Sequence, residues 1–243
     1  MITVRRAEAR HLSRRGRAEV RHSFDPEDRA DVLADGFGSL EALDEDRVPP
    51  GARVPRHEHR DVEIVTYVCE GGLAYQDSTG RAGVIRAGEF QRITAGRGIH
   101  HSEANASRAD WAHVFQLWLR PAEPGLAPGH EVKRFCAAQR RGWLCLVASP
   151  DARRGSLRIH QDALLYSALL DPGQHVAHEL AQGRSAWLHL VRGEATLGDF
   201  VLATGDGAGV TAERAVSFTA VEQTELLFLD LGEPQPSSKE APD

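Results

Sequence analysis

Glycine and proline interrupt this chain about every ten residues, and the segments between them are rich in β-branched, aromatic and leucine side chains. Such punctuation leaves no room for long amphipathic helices. It favours many short strands joined by turns, and so an antiparallel sandwich or barrel. Val62–Cys69, Trp111–Leu119, Trp143–Ala148, Ala186–Val191 and Glu225–Leu231 are the clearest strand candidates.

The two halves repeat one another loosely. Val68–Gly72 ends an apolar strand in Glu-Gly-Gly, and a Gly-Glu-Phe turn follows at Gly88. Ala186–Val191 ends in Arg192-Gly193-Glu194, and Gly205-Asp206-Gly207 follows. Each half closes on an apolar strand, HVFQLWL or ELLFLDL. The expectation is all-β, with two tandem barrels: residues 1–125, residues 126–232, and a disordered Pro/Ser-rich tail over 233–243.

A net charge of −6 lacks the basic footprint of a nucleic-acid binder, so no direct nucleic-acid contact is expected. No apolar run approaches the roughly 20 residues needed to span a bilayer, and no apolar signal region opens the chain. The N-terminal arginines (Arg5, Arg6, Arg10, Arg14, Arg15, Arg17, Arg21) are interrupted by Glu8 and Glu19. They are read as a solvated strand and loop, with a transit peptide as the alternative. Three cysteines, Cys69, Cys136 and Cys145, form no CxxC pair and no disulfide framework. A monomeric cytoplasmic protein is expected.

Two segments can carry chemistry. In Gly51–Glu63, His57 and His59 are i and i+2, so on a strand both imidazoles face one way. In Gly88–Glu103, His101 and Glu103 share a face while His100 points away. Adjacent strands would then present three imidazoles and a carboxylate. That donor set suits Fe(II), Mn(II), Ni(II), Cu(II) or Zn(II) and leaves coordination positions open. With twelve histidines in the chain, an HxH pair alone is weak, and histidines on a polar strand surface would read the same way.

The resemblance is sharper. Gly51-x5-His57-x-His59-x3-Glu63-x7-Gly71 and Gly88-x5-Thr94-x-Gly96 with His101 look like the two cupin motifs. GFGSL (Gly36–Leu40), DRVPPG (Asp46–Gly51), the run from His57, QDS (Gln76–Ser78), TAGRGIHHSE (Thr94–Glu103) and the stretch Ser149–Leu170 are similar to the pirin family, and nearest to its bacterial quercetin 2,3-dioxygenase-like members. The resemblance implies two cupin barrels and one divalent metal in the first. His57, His59, His101 and Glu103 would be the ligands, with Glu103 also the general base. Fe(II) is the expected ion, with Ni, Mn, Cu, Zn or Co as alternatives. It implies a dioxygenase acting on a flavonol-like aromatic with O2, or alternatively a metal- and redox-sensing regulatory protein. Another oxygenase or an isomerase on the same scaffold is a weaker third reading. Glu63 is expected beside the metal, holding a ligating imidazole or binding the ion itself. Glu58 stands where the family commonly has proline, on the outward parity.

The second half lacks the pattern and is expected to be metal-free. His175 and His178 are read as a solvated turn, and His113, His160 and His189 as ordinary polar or core residues, His113 with a possible place at the pocket. The acidic run Glu41–Arg47 is read as a solvated loop.

Overall fold

The computed structural model describes residues 1–233, so the expected disordered tail lies, apart from Glu233, outside the described residues. The first half contains β1 (Ile2–Arg5), β2 (His11–Arg15), β3 (Ala18–His22), β4 (Leu40–Val48), β5 (Arg53–His59) and β6 (Glu63–Glu70). It continues with β7 (Gly72–Asp77), β8 (Ala82–Arg86), β9 (Glu89–Thr94), β10 (Ile99–Asn105) and β11 (Ala112–Leu119). After β12 (Gly129–Arg134) and a single helical turn, α1 (Ala137–Arg140), come β13 (Cys145–Ser149), β14 (Leu157–Arg158), β15 (Ala163–Leu170) and β16 (His175–Glu179). The chain finishes with β17 (Ser185–Arg192), β18 (Glu194–Leu197), β19 (Phe200–Ala203), β20 (Gly207–Val210), β21 (Ala215–Ala220) and β22 (Thr224–Leu231).

Each half closes a seven-stranded sheet over a four-stranded one. The first pairs β12-β9-β6-β11-β4-β3-β2 with β5-β10-β7-β8; the second pairs β1-β20-β17-β22-β15-β13-β14 with β16-β21-β18-β19. The loose sequence repeat is therefore a repeat of topology in the central strands, β9-β6-β11-β4 matching β20-β17-β22-β15, while the edges differ: β2 runs antiparallel to β3 and β14 parallel to β13. Its glycines have a steric reason. Gly71 and Gly193 both adopt positive φ, and a Cβ there would stand 2.6 Å from the Trp111 carbonyl or 2.4 Å from that of Gln223.

The expected division after residue 125 is crossed twice. β1 pairs with β20 of the second barrel, and β12 pairs with β9 of the first. Each barrel thus covers the other's exposed sheet edge, the part of a sheet most prone to stray pairing. Between the barrels, the outer faces of the two large sheets bury Phe90, Phe115, Leu117, Trp187, Leu227 and Leu229 in one cluster.

The acidic run is a strand and not a solvated loop: β4 lies between β11 and β3, with Asp44, Glu45 and Asp46 all buried. Two of these carboxylates meet partners from distant segments. Arg15 and His22 pair with Asp44, and Arg10 and His113 with Glu45.

Candidate metal centre

β5 and β10 are neighbours in the small sheet, with His57 opposite His101 and His59 opposite Ile99. Along β10, Ile99, His101 and Glu103 are buried, whereas His100 is exposed beside Glu58 on the outer surface. Strand parity thus sorts the inward donors from their neighbours.

The structure brings His57, His59 and His101 together, with one nitrogen of each within 4.8 Å of the others. Their ring centroids are 4.4 to 4.9 Å apart. His57 Nδ1–H donates to the Pro55 carbonyl at 2.9 Å, which turns its Nε2 toward His101 Nε2, 3.0 Å away. Two nitrogens bound at right angles to an ion at about 2.1 Å stand about 3.0 Å apart, so the pair fits a shared cation. Burial, and after it the neighbouring imidazoles, lowers the pKa of His59 to about 3 and that of His101 to about 4. Both rings are therefore neutral at physiological pH, the form that binds metals.

Glu103 lies on the same face but outside the 4.8 Å group. Its carboxylate accepts hydrogen bonds from Gln116 Nε2 at 3.1 and 3.4 Å. Burial raises its pKa by disfavouring the charged form, which a cation placed opposite it would restore.

Glu63 is elsewhere. The turn Arg60–Val62, with Asp61 at φ 45°, carries the chain into the other sheet, so parity counted along β5 does not extend to β6. The fully buried Glu63 carboxylate faces the second half of the chain. It accepts hydrogen bonds from the Thr94 hydroxyl and from both the main chain and Nδ1 of His160, and holds none of the three clustered imidazoles. His113 likewise faces the barrel junction, bonded to Glu45, and not the pocket.

Two residues of the site escaped the motif reading. Trp118 packs edge-on against His59 at 4.9 Å, and Gln116 orients Glu103. Gln116 did carry a signal: it is the one amide in the apolar run HVFQLWL, at inward parity. It belongs to a polar row of facing residues across the large sheet, Gln91–Thr66–Gln116–Asp44. This row separates an apolar cluster of Val68, Leu73, Ile85 and Val114 from a second one of Ile64, Ile93 and Ile99 with Trp118. Thr66 Oγ1 and Gln91 Oε1 are buried there without a protein partner among the described residues, so the layer suits water or a polar ligand group.

In the second half, His178 is not in a solvated turn. It lies on β16, and its Nε2–H donates to Asp230 at 2.8 Å, while Asp230 also accepts from Arg184. His175, on the opposite face, is exposed and bonds Thr219.

The chain is similar to known proteins over nearly its whole length. The pirin family model matches residues 5–119, and that of the quercetinase C-terminal cupin domain matches residues 146–231. The quercetin 2,3-dioxygenase of Escherichia coli K12 is 38% identical over 231 residues, covering 95% of this chain and 99% of the relative. The crystal structure of YhhW from E. coli superposes with a TM-score of 0.91 at 37% identity, covering 98% of this chain and all of that one. The structure of the bacterial pirin YhhW in complex with nickel(II) gives 0.89 at 37% identity, over 96% of this chain and all of that one.

Proposed function

This chain belongs to the pirin family, with two cupin domains, and from that premise we propose that it is a metal-dependent dioxygenase that cleaves a flavonol such as quercetin with O2. The observation that carries the proposal is the convergence of His57, His59 and His101 on the face that also holds the buried Glu103. We take these four residues as the ligands and Glu103 as the catalytic base.

A divalent transition metal held there would act as a Lewis acid, lowering the pKa of the substrate's 3-hydroxyl and joining its electrons to O2. Fe(II) is the preferred ion, and the nickel(II) complex of the E. coli relative makes Ni(II) the first alternative. The chain's own residues do the rest. Neutral imidazoles leave their lone pairs free for the ion. The raised pKa of Glu103 makes it a better acceptor for the hydroxyl proton, and Gln116 keeps its carboxylate facing inward. Trp118, half-buried beside His59 and backed by the buried cluster of Ile64, Ile93 and Ile99, offers the apolar surface an aromatic substrate would pack against. The same reading takes the protein as a cytoplasmic monomer; no helix among the described residues is long and apolar enough to cross a membrane.

The test loads purified protein with Fe(II), Mn(II), Ni(II) or Cu(II), verifies occupancy by metal analysis, and follows loss of flavonol absorbance under air. Turnover with at least one metal, absent in the stripped protein, is expected. No turnover with any metal by a demonstrably loaded chain would overturn the enzyme reading and leave the metal-sensing one.

A further inference from the structure

Outside the first barrel's pocket, the junction between the barrels gathers a second group of donor atoms. Cys69 and Glu70 end β6, and His113 on β11 stands opposite Glu70 at a bulge. A sulfur, a carboxylate oxygen and an imidazole nitrogen, one from each residue, lie within 4.8 Å of one another. Cys69 and His113 are buried, whereas Glu70 is exposed. His113 Nε2–H donates to Glu45 at 2.8 Å, and Arg10 fastens Glu45 from its other oxygen at 2.6 Å. The pairing fixes the ring, as carboxylates do for metal-bound histidines.

A side-chain cation already covers the group. Arg192 reaches over from the second barrel, donating through Nη2 to Cys69 Sγ at 2.8 Å and to Glu70 at 3.1 Å, with its Nε 3.2 Å from Glu225. Its side chain is half-exposed, free to swing outward. A cleft of about 280 Å³ lined by Tyr67, Cys69, Arg192 and Glu225 leads from solvent to the sulfur.

We propose that Cys69, Glu70 and His113 form a second cation site, taking a thiophilic divalent ion of the zinc class, which Arg192 covers when no ion is bound. One thiolate, one imidazole and one carboxylate, with water in the fourth position, suit a borderline-soft tetrahedral ion. Binding requires the thiolate. Cys69 Sγ donates to Glu225 at 3.8 Å as a thiol, so an ion that takes the sulfur displaces that proton to solvent. Because Arg192 bridges the barrels, uptake also exchanges an inter-barrel contact for a metal bond. The proposal does not rest on the flavonol reading, and the two can fail separately.

Cd(II) is the probe, because thiolate coordination gives it an ultraviolet charge-transfer band to which the sulfur-free histidine site is silent. The full chain is used with Cys136 and Cys145 replaced by serine. A saturable band, with proton release, is expected, and C69S abolishes it. E70Q alters only an exposed side chain and lowers Cd(II) affinity roughly tenfold; R192Q raises it. No band in the parent protein, a band that persists in folded C69S, or unchanged affinity in both E70Q and R192Q overturns the proposal. The last two variants decide the matter should C69S fail to fold.

Discussion

The two barrels share a strand order but not an interior. Aligning them by register, with Glu63 opposite Leu119 in one and Ser185 opposite Leu231 in the other, turns the row Gln91–Thr66–Gln116–Asp44 into Ala208–Leu188–Phe228–Tyr166. On the small sheets, His101 and Glu103 become Val216 and Phe218, and His59 becomes Leu180. Only His57 keeps an imidazole, His178, and its Nε2 is committed to Asp230. The second interior is one continuous apolar cluster, where the first is two clusters parted by a polar layer. One backbone design therefore serves either as a packed core or as a reactive pocket. A handful of inward side chains decides which.

The largest effect expected from breaking this contrast falls on His101. H101A removes one of three converging imidazoles and should abolish metal-dependent turnover. It should also remove the thermal stabilisation that a bound ion gives the unaltered protein, about 4 kcal/mol at a thousandfold excess over its dissociation constant. H178A in the equivalent barrel should leave metal uptake and turnover as they were. Metal titration followed by calorimetry on both variants checks this; an H178A protein that loses the ion would end the distinction between the barrels.

Next come Gln116 and Phe228, which occupy the same position in the two barrels. Phe228 is fully buried among apolar neighbours, so F228A should cost about 3–5 kcal/mol in urea unfolding. Q116A deletes a group from a layer that already tolerates unpaired polar atoms and should cost far less stability. Its effect should appear at the metal, with roughly tenfold weaker binding once Glu103 loses its only side-chain donor among the described residues. Equal stability losses in the two variants would mean that the interiors are not physically different.

How far the sequence carried these conclusions depends on which neighbours are local. Parity within a strand is local: it separated His57, His59, His101 and Glu103 from His100 and Glu58, and the repeated glycine turns marked two barrels. What stayed hidden depends on residues far along the chain. Glu41–Arg47 alternates no apolar face, because Asp44 and Glu45 find their partners, Arg10, Arg15, His22 and His113, on other segments of the chain. Glu63 could not be placed by counting through a turn that changes sheets. His178 looked solvated because Asp230 and Arg184, which hold it in place, lie beyond any local window. The crossing of β1 and β12 between barrels leaves no mark in composition.

The smallest predicted effect compares the outer faces, where Tyr67 and His189 are equivalent by register. Tyr67 is satisfied, bonded to Glu225 and Arg140, and burial holds its hydroxyl neutral through the whole physiological range. His189 is fully buried, and neither ring nitrogen has a partner among the described residues. Burial first, then the nearby Arg10, lowers its pKa to about 3; His113 acts in the same direction and Glu45 against it. The folded chain therefore refuses a proton that the unfolded chain, near 6.5, accepts. Stability from this group is complete above that value and is lost as pH falls from there toward 3. Between pH 7.5 and 5.5 the loss should be about 1.4 kcal/mol, a tenfold change in the folding constant. H189L should remove that share of the pH response and Y67F none of it, measured as urea midpoints at the two pH values on metal-free protein. If H189L keeps the full slope, His189 has a proton partner inside the interface, and the asymmetry between the two faces disappears.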